Sequence, residues 1–207
     1  MYKLCKTEQS SRRQKEIEAA LLSLMGKEAY SQISITELCE SIPIPRKAFY
    51  RYFDDKDGAL RGLIEHTLSD FYIYNTPTGG KRSLERELSN FFLFWRERRP
   101  FLDAMEKNGL TGLLVDICVQ YPIETVIKLE RFLPDDPESR RRAVFRFASV
   151  GLLFHMLDWY RSGFVESPEE MARSTIRMLC RPIFPALARI GFDEEELASC
   201  CPTPQNG

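Results

Sequence analysis

Hydrophobic residues recur along most of the chain at spacings of three and four positions, which is the period of an amphipathic α-helix. Ile17 and Leu21 show this spacing in the first helix. We expect that helix to begin near Ser10 or Ser11, because Ser11 and Gln14 have the spacing of a capping box. No stretch of useful length alternates between apolar and polar residues as a half-buried strand would. The pattern therefore predicts an all-α fold of about nine helices, with a three-helix N-terminal head and a larger C-terminal bundle.

Six of these helices are predicted after residue 56, and prolines, glycines and capping residues mark their ends. They cover about 57–74, 83–99, 100–107, 110–132, 138–161 and a ninth helix that begins at Ser167-Pro168-Glu169-Glu170. Pro122 is expected to kink the seventh helix, and Pro182 and Pro185 to disturb the ninth. The eighth helix is apolar on two sides, so it needs two partners, for example its own bundle and another subunit.

The stretch from 34 to 56, SITELCESIPIPRKAFYRYFDDK, contains two short helical patterns separated by a tight turn. Ser34 and Glu37 form a capping box at the start of the first pattern. Pro43 ends that pattern, because the residue before a proline avoids the α region, and Pro45 suits the first turn of the next helix. On that next helix two sets of residues face opposite ways: Arg46, Lys47, Tyr50 and Arg51 outward, and Ala48, Phe49, Tyr52 and Phe53 inward. This arrangement indicates a helix-turn-helix.

The charge of the chain restricts where a nucleic acid would bind. Its formal net charge is −1, so the protein as a whole is not a polycation and any such binding must come from a local patch. Positions 45–52 contain three basic residues and no acidic one. The outward face of the third helix is therefore the candidate patch.

Other classes of function find little support in the residues present. No apolar run approaches the ~18–20 residues of a membrane span, and the first residues lack the apolar part of a secretory signal. The six cysteines, including the adjacent Cys200 and Cys201, form no C-x-x-C pair, so we expect free thiols in a reducing cytoplasm and no metal site. With two histidines, no H-E-x-x-H motif and no glycine-rich phosphate loop, we expect neither an enzyme nor a bound cofactor.

The segment 33–60, ISITELCESIPIPRKAFYRYFDDKDGAL, resembles the TetR/AcrR family of bacterial transcriptional regulators. The resemblance covers about residues 12–66, while the rest of the chain matches only in the number and order of its helices. It implies that the third helix enters the major groove and that a homodimer, joined through its last two helices, reads a near-palindromic operator in double-stranded DNA. It also implies a DNA-binding domain over 1–56 and an effector-binding and dimerisation domain over 57–207.

The resemblance assigns DNA contacts by position. It implies that base edges are contacted by Arg46, Lys47 and Ala48. It implies that phosphates are contacted by Ser34, Thr36, Tyr50, Tyr52 and Lys56. Arg46 can present a bidentate fork to guanine, and Ala48 can offer a methyl contact to thymine. For Tyr52 helical spacing predicts an inward side chain, whereas the family places its hydroxyl at the DNA backbone. A half-buried ring with its hydroxyl at the rim would satisfy both expectations.

Two departures from the family pattern concern the turn. Pro43 stands where the family usually has a glycine, and Pro45 where it has a small polar cap. Because proline holds φ near about −65°, we expect the turn to take a path other than the glycine path. A head that no longer binds DNA, in a coactivator or interaction protein of the same fold, is the alternative function.

The resemblance implies that the body binds a small effector, which we expect to be apolar or aromatic and to release a repressor from DNA. The candidate lining residues are Phe71, Tyr72, Phe91, Phe92, Trp95, Phe101, Met105, Ile117, Phe154, His155 and Trp159. Ordinary core packing is the other interpretation of each, because an aromatic stripe at helical spacing normally belongs to a core. His155 and Asp158 have the spacing of a helical pair.

Overall fold

The computed structural model describes residues 2–3, 7–74, 83–120 and 137–180. Within these ranges the chain forms nine α-helices, and its one β-type pairing is an isolated bridge between Tyr2 and Phe53. The helices are α1 (Glu8–Lys27), α2 (Ile35–Ser41), α3 (Arg46–Phe49), α4 (Lys56–Tyr74), α5 (Leu84–Glu97), α6 (Arg99–Lys107), α7 (Thr111–Gln120), α8 (Glu138–Arg161) and α9 (Pro168–Cys180). The prediction of an all-α fold is confirmed. We call α1–α3 the head and α5–α9 the body, with α4 connecting them.

The start of α1 differs from the prediction. Its N-cap is Thr7, whose extended backbone (φ −127°, ψ 151°) lets its hydroxyl accept a hydrogen bond from the Ser10 N–H. The Ser10 hydroxyl accepts from the Thr7 N–H in return, at 3.2 Å. The expected capping box of Ser11 and Gln14 is therefore wrong, and Gln14 is buried instead. This polar segment offers more than one pair at capping distance, and the spacing alone does not decide between them.

Most other helix ends agree with the prediction. Ser34 caps α2, and its hydroxyl accepts from the Glu37 N–H at 3.1 Å. Ser167 and Glu170 form the same box at α9, with bonds of 2.7 and 3.2 Å. The eighth helix has the predicted bounds, 138–161. For the seventh helix the structure describes Thr111–Gln120, so the predicted kink at Pro122 lies outside the described residues, as do Pro182 and Pro185.

One hydrophobic core runs from the head into the body. α1 packs against α2, α4 and α6, α5 packs along α9, and α7 contacts both α4 and α8. Ile17, Phe49 and Phe53 are fully buried in the head, and Phe92 and Phe94 are fully buried in the body. The head and the body therefore share one continuous apolar interior.

Aromatic rings join the connecting helix to the body. Phe71 of α4 meets Phe91 and Phe94 of α5 edge-on, with ring centres 5.5 and 5.1 Å apart. Phe92 of α5 meets Trp159 of α8 in the same way at 5.3 Å. Such pairs contribute about 0.5–1.5 kcal/mol each beyond the area they bury. α5 therefore links α4 to α8 through specific ring contacts.

Candidate nucleic-acid interface

The turn between α2 and α3 is built around Pro43. The Ile44 N–H donates to the Ile42 carbonyl at 2.6 Å, which closes a three-residue turn with Pro43 at its centre. The fixed φ of proline suits the inverse γ-turn, whose central residue has φ near about −75°. The chain therefore forms an inverse γ-turn at Pro43, where the family usually has a turn with a glycine at positive φ.

Pro45 is the N-cap of α3, which corrects the expectation that it lies within the first turn of that helix. Its backbone is extended (φ −71°, ψ 147°), and its side chain makes no capping bond. α3 itself has four residues, Arg46–Phe49, and continues as turns whose N–H groups donate back to the Phe49 carbonyl from Tyr52 and Phe53. The proline side chain has no acceptor oxygen, so this helix begins without a side-chain cap, although the Pro45 carbonyl accepts from the Ala48 N–H at 2.7 Å.

The outward side chains of α3 are exposed, while its inward rings anchor it. Phe49 and Phe53 are fully buried, with ring centres 5.5 Å apart. Arg46 and Lys47 are exposed, and Tyr50 is 41% exposed. The predicted division of the helix into an inward apolar face and an outward basic one is therefore seen in the side chains.

Arg46 does not extend freely into solvent. Its guanidinium donates to the Tyr50 hydroxyl at 3.3 Å, which joins two exposed side chains one turn apart. Ser34 and Thr36 at the start of α2 are also exposed, and Thr36 and Arg46 line a shallow groove between α2 and α3. The groove brings one predicted phosphate contact next to one predicted base contact.

Tyr52 and Ala48 lie between the two faces. Tyr52 is half-buried and packs against the core, as helical spacing predicted, while its contact with the DNA backbone stays a prediction. Ala48 is also half-buried.

Lys56 has partners that sequence reasoning missed. Its ammonium donates to the backbone carbonyls of Tyr30 at 2.6 Å and Ile33 at 2.7 Å, and it lies 4.3 Å from the centre of the Tyr30 ring. The Tyr30 hydroxyl donates to Asp57 at 2.5 Å; burial and this carboxylate raise the pKa of Tyr30 far above its ordinary value. An ammonium has three donors, so one is left for a partner beyond these bonds.

The short segment Tyr2–Lys3 crosses the end of the helix-turn-helix. The Lys3 N–H donates to the Tyr52 carbonyl at 2.8 Å, and the Lys3 ammonium donates to the Tyr50 carbonyl at 2.8 Å. The Tyr2 hydroxyl donates to Glu65 of α4 at 2.7 Å. The segment therefore joins the end of the helix-turn-helix to the connecting helix, and no periodic pattern in the sequence indicates it.

The effector candidates in the described residues are mostly core. Phe92, Trp95, Phe101, Met105, Ile117 and Trp159 are buried, and Phe71, Phe91 and His155 are half-buried. Phe154 is 47% exposed and faces away from that core. The side chain of Tyr72 lies outside the described residues.

Two buried ring nitrogens among these candidates have no hydrogen-bond partner within the described part of the chain. They are Nε1 of Trp95 and Nε2 of His155. Burial lowers the pKa of His155, and the charge of Asp158 opposes that effect. A neutral imidazole and an indole N–H in apolar surroundings are groups that a ligand can satisfy.

Metal and membrane features are absent from the described ranges. No group of three or more His, Cys, Asp and Glu side chains there is placed to hold a metal ion. No helix within 2–3, 7–74, 83–120 and 137–180 combines the length and apolar character of a membrane span.

Comparison with known sequences gives a match to part of the chain. No protein-family model matches it. A curated relative, the HTH-type dhaKLM operon transcriptional activator DhaS of Lactococcus lactis subsp. lactis, is 31% identical over 67 residues. That alignment covers 32% of this chain and 36% of the relative, so the match spans about a third of the relative's length.

Comparison with solved structures extends over most of the chain. A TetR-family transcriptional regulator from Streptomyces coelicolor has a TM-score of 0.56 at 20% identity, covering 95% of this chain and 92% of its own. The dihydroxyacetone kinase operon activator DhaS has a TM-score of 0.55 at 18% identity, covering 86% and 96%. The fatty acid degradation regulator FadR from Bacillus halodurans has 0.51 at 13%, covering 85% and 96%. The chain therefore has the TetR-type regulator fold that the sequence resemblance predicted.

Proposed function

We propose that this protein is a sequence-specific DNA-binding transcriptional regulator of the TetR type. The observation that carries the proposal is the exposed basic face of α3, with Arg46 and Lys47 outward and Phe49 and Phe53 buried beneath. In this function residues 1–56 bind DNA, and residues 57–207 bind an effector and form the dimer. No enzymatic activity is part of the proposal.

DNA reading is divided between two sets of residues. Arg46 and Lys47 contact base edges in the major groove, and the half-buried methyl of Ala48 packs against a thymine. The phosphate contacts come from Ser34, Thr36, Tyr50, Tyr52 and Lys56. Phosphate contacts position the protein on the duplex, whereas base contacts select the sequence.

The dimer forms through α8 and α9. Phe147 of α8 is 85% exposed, and Phe154 two turns later is 47% exposed, with the exposed Gly151 between them. Leu153 and Met156 on the other side of α8 are buried. Large apolar side chains in a row on a helix surface are typical of a protein interface. A two-fold dimer of this kind presents two reading helices to a near-palindromic site.

A small apolar or aromatic effector controls DNA binding in the proposed function, and repression released by that effector is the proposed mode. The support is the ring cluster that connects Phe71 of α4 to Trp159 of α8, together with the unpartnered nitrogens of Trp95 and His155. By linkage a tenfold loss of DNA affinity needs about 1.4 kcal/mol of difference in effector affinity between the two states.

A coactivator or interaction protein of the same fold is the second candidate. It is favoured by the length of α3, because four helical residues after an uncapped Pro45 give a short reading element. In this case the outward side chains would contact a protein instead of a base pair.

Selection of bound duplexes from a random pool tests the proposal. We expect enrichment of one near-palindromic sequence, whose half-site spacing reports the separation of the two reading helices. A gel-shift titration at several salt concentrations accompanies it. Absence of salt-sensitive binding even at low ionic strength would exclude a DNA-binding head and favour the second candidate.

A further inference from the structure

Asn108, the residue that ends α6, is bound to the head by its side chain. Its Nδ2 donates to the Met25 carbonyl at 3.2 Å and to the carbonyl of Ala104 in its own helix at 2.7 Å. Its Oδ1 accepts from the Tyr30 N–H at 2.6 Å. A carboxamide both donates and accepts, so this side chain satisfies the last turn of α1 and the loop after it together.

The loop that Asn108 holds leads directly to the proposed phosphate contacts. Tyr30 and Ile33 supply the two carbonyls that bind the Lys56 ammonium, and Ser34 follows as the N-cap of α2. A chain of bonds therefore runs from α6, through Tyr30, to Lys56 and the start of α2. Each bond in that chain joins elements that are far apart in sequence.

On its other side α6 is bonded to α8 through side chains. Glu106 accepts two hydrogen bonds from the guanidinium of Arg161 in α8, at 3.0 and 3.2 Å. The Thr111 hydroxyl also donates to Glu106 at 2.7 Å. These bonds lower the pKa of Glu106, so this carboxylate is held in its charged form. Asn108 thus follows a helix that packs against α1 and is also joined to α8 by exposed side-chain bonds.

We propose that Asn108 is a positioning residue of the DNA-binding site, which fixes the loop 28–34 and thereby the Lys56 ammonium and the N-terminal end of α2. The inference rests on the proposed function, and it concerns the placement of phosphate contacts, not the reading of bases. Removing the carboxamide leaves the Tyr30 N–H without its acceptor, and the loop then relaxes toward water.

The test uses Asn108→Ala with Lys107→Ala as the matched control. Lys107 is the neighbouring residue, and its exposed ammonium donates to the Gly26 carbonyl at 2.9 Å without reaching Tyr30. For Asn108→Ala we expect an affinity loss on the order of tenfold on the selected duplex, with unchanged base preference, as for the loss of one hydrogen-bonding group. The control should change affinity by less than about twofold, since it removes one exposed contact.

A double-mutant cycle tests whether Asn108 affects DNA affinity through Lys56. If Asn108 acts through Lys56, the losses of Asn108→Ala and Lys56→Met do not add, because the second change finds the Lys56 ammonium already displaced. Additive losses, or an altered base preference in Asn108→Ala, would overturn the assignment. Where Asn108→Ala does not fold, Asn108→Ser is measured by the same criteria.

Hydrogen exchange separates this inference from the proposed function. In Asn108→Ala the amides of Tyr30 and Ile33 should exchange faster, while those of α4 keep their protection. If the wild-type protein binds no DNA but this local loss occurs, the proposed function fails and the loop contact stands. If the two amides keep their protection, the positioning role is wrong whatever the DNA result.

Discussion

Nδ1 of His66 lies 2.9 Å from both carboxylate oxygens of Glu18, and this pair joins α4 to α1. Glu18 is 3% exposed, and the Tyr2 ring meets His66 edge-on at 5.3 Å. A buried carboxylate is costly unless a partner compensates it. The head is therefore attached to the connecting helix by a polar pair set among apolar side chains.

Stability should depend on pH through Glu18. Burial raises its pKa, while the hydrogen bond and charge of His66 oppose that effect. A raised pKa means that the folded state favours the protonated carboxyl. The stabilisation that Glu18 contributes to folding is therefore complete below about pH 4, and it is lost as the pH rises through the pKa of the folded state. Glu18→Gln does not titrate, and we expect it to gain stability relative to wild type over that rise. Urea unfolding at several pH values measures the difference; a difference independent of pH would contradict the expectation.

Gly62 of α4 packs so closely against the head that a larger side chain at this position would not fit. A Cβ at this position would lie 2.8 Å from Glu18 Oε1 and 3.1 Å from Phe53 Cε1. Gly62→Ala should therefore destabilise the protein by about 1–3 kcal/mol, although alanine favours helices. Gly112→Ala is the control, because a Cβ there has nothing within 4 Å, and in the first turn of α7 it should not destabilise the protein. Thermal unfolding of both variants gives the comparison, and a gain in stability for Gly62→Ala would exclude the clash.

Arg46 should specify a base pair. Arg46→Ala is expected to cost about 1–3 kcal/mol of binding and to relax specificity at one position of each half-site. Arg46→Lys keeps the charge but loses the bidentate fork, so it should keep the salt dependence of binding and lose the base preference. Selection from a random pool with each variant measures both effects. If Arg46→Ala keeps the wild-type affinity and preference, the assignment of this face is wrong.

Lys56 should anchor the backbone of DNA through its remaining donor. Lys56→Met is expected to weaken binding to all sequences alike and to reduce the slope of log K against log salt by about 0.9 for each phosphate that is no longer neutralised. It should also reduce stability, because the carbonyls of Tyr30 and Ile33 lose their donor. Lys27→Met, at the exposed end of α1, serves as the control. A lower affinity with an unchanged salt slope would make Lys56 structural only.

Phe147 should lie in the dimer interface. Phe147→Glu places a charge on the exposed apolar side of α8 and should shift the protein to a monomer, because a buried unpaired charge opposes association. Val165→Glu is the control, since Val165 is 79% exposed but lies in the turn beyond the far end of α8. Sedimentation or light scattering gives the mass. A dimer that survives Phe147→Glu would place the interface elsewhere.

The helix starts and helix positions could be predicted from the sequence because they depend on residues close together in the chain. Ser34 with Glu37, and Ser167 with Glu170, are capping pairs three residues apart, and they mark helix starts at the predicted positions. Apolar spacing located the helices, and the bounds of α8 agree with the prediction. The start of α1 differs, because Thr7 and Ser10 form the box in place of Ser11 and Gln14.

The helical periods, the helix-turn-helix pattern and the apolar and basic faces of α3 follow from the order of the residues, since each depends on residues within one or two turns of each other. The three-residue turn centred on Pro43 is local as well, but only the structure shows its backbone path. Helix packing placed the Lys56 ammonium against the carbonyls of Tyr30 and Ile33. It also decided that Asn108 reaches Met25 and Tyr30, over separations of 83 and 78 residues. Contacts of this kind have no periodic signature, because they depend on where complete helices meet and which backbone groups are left there without partners.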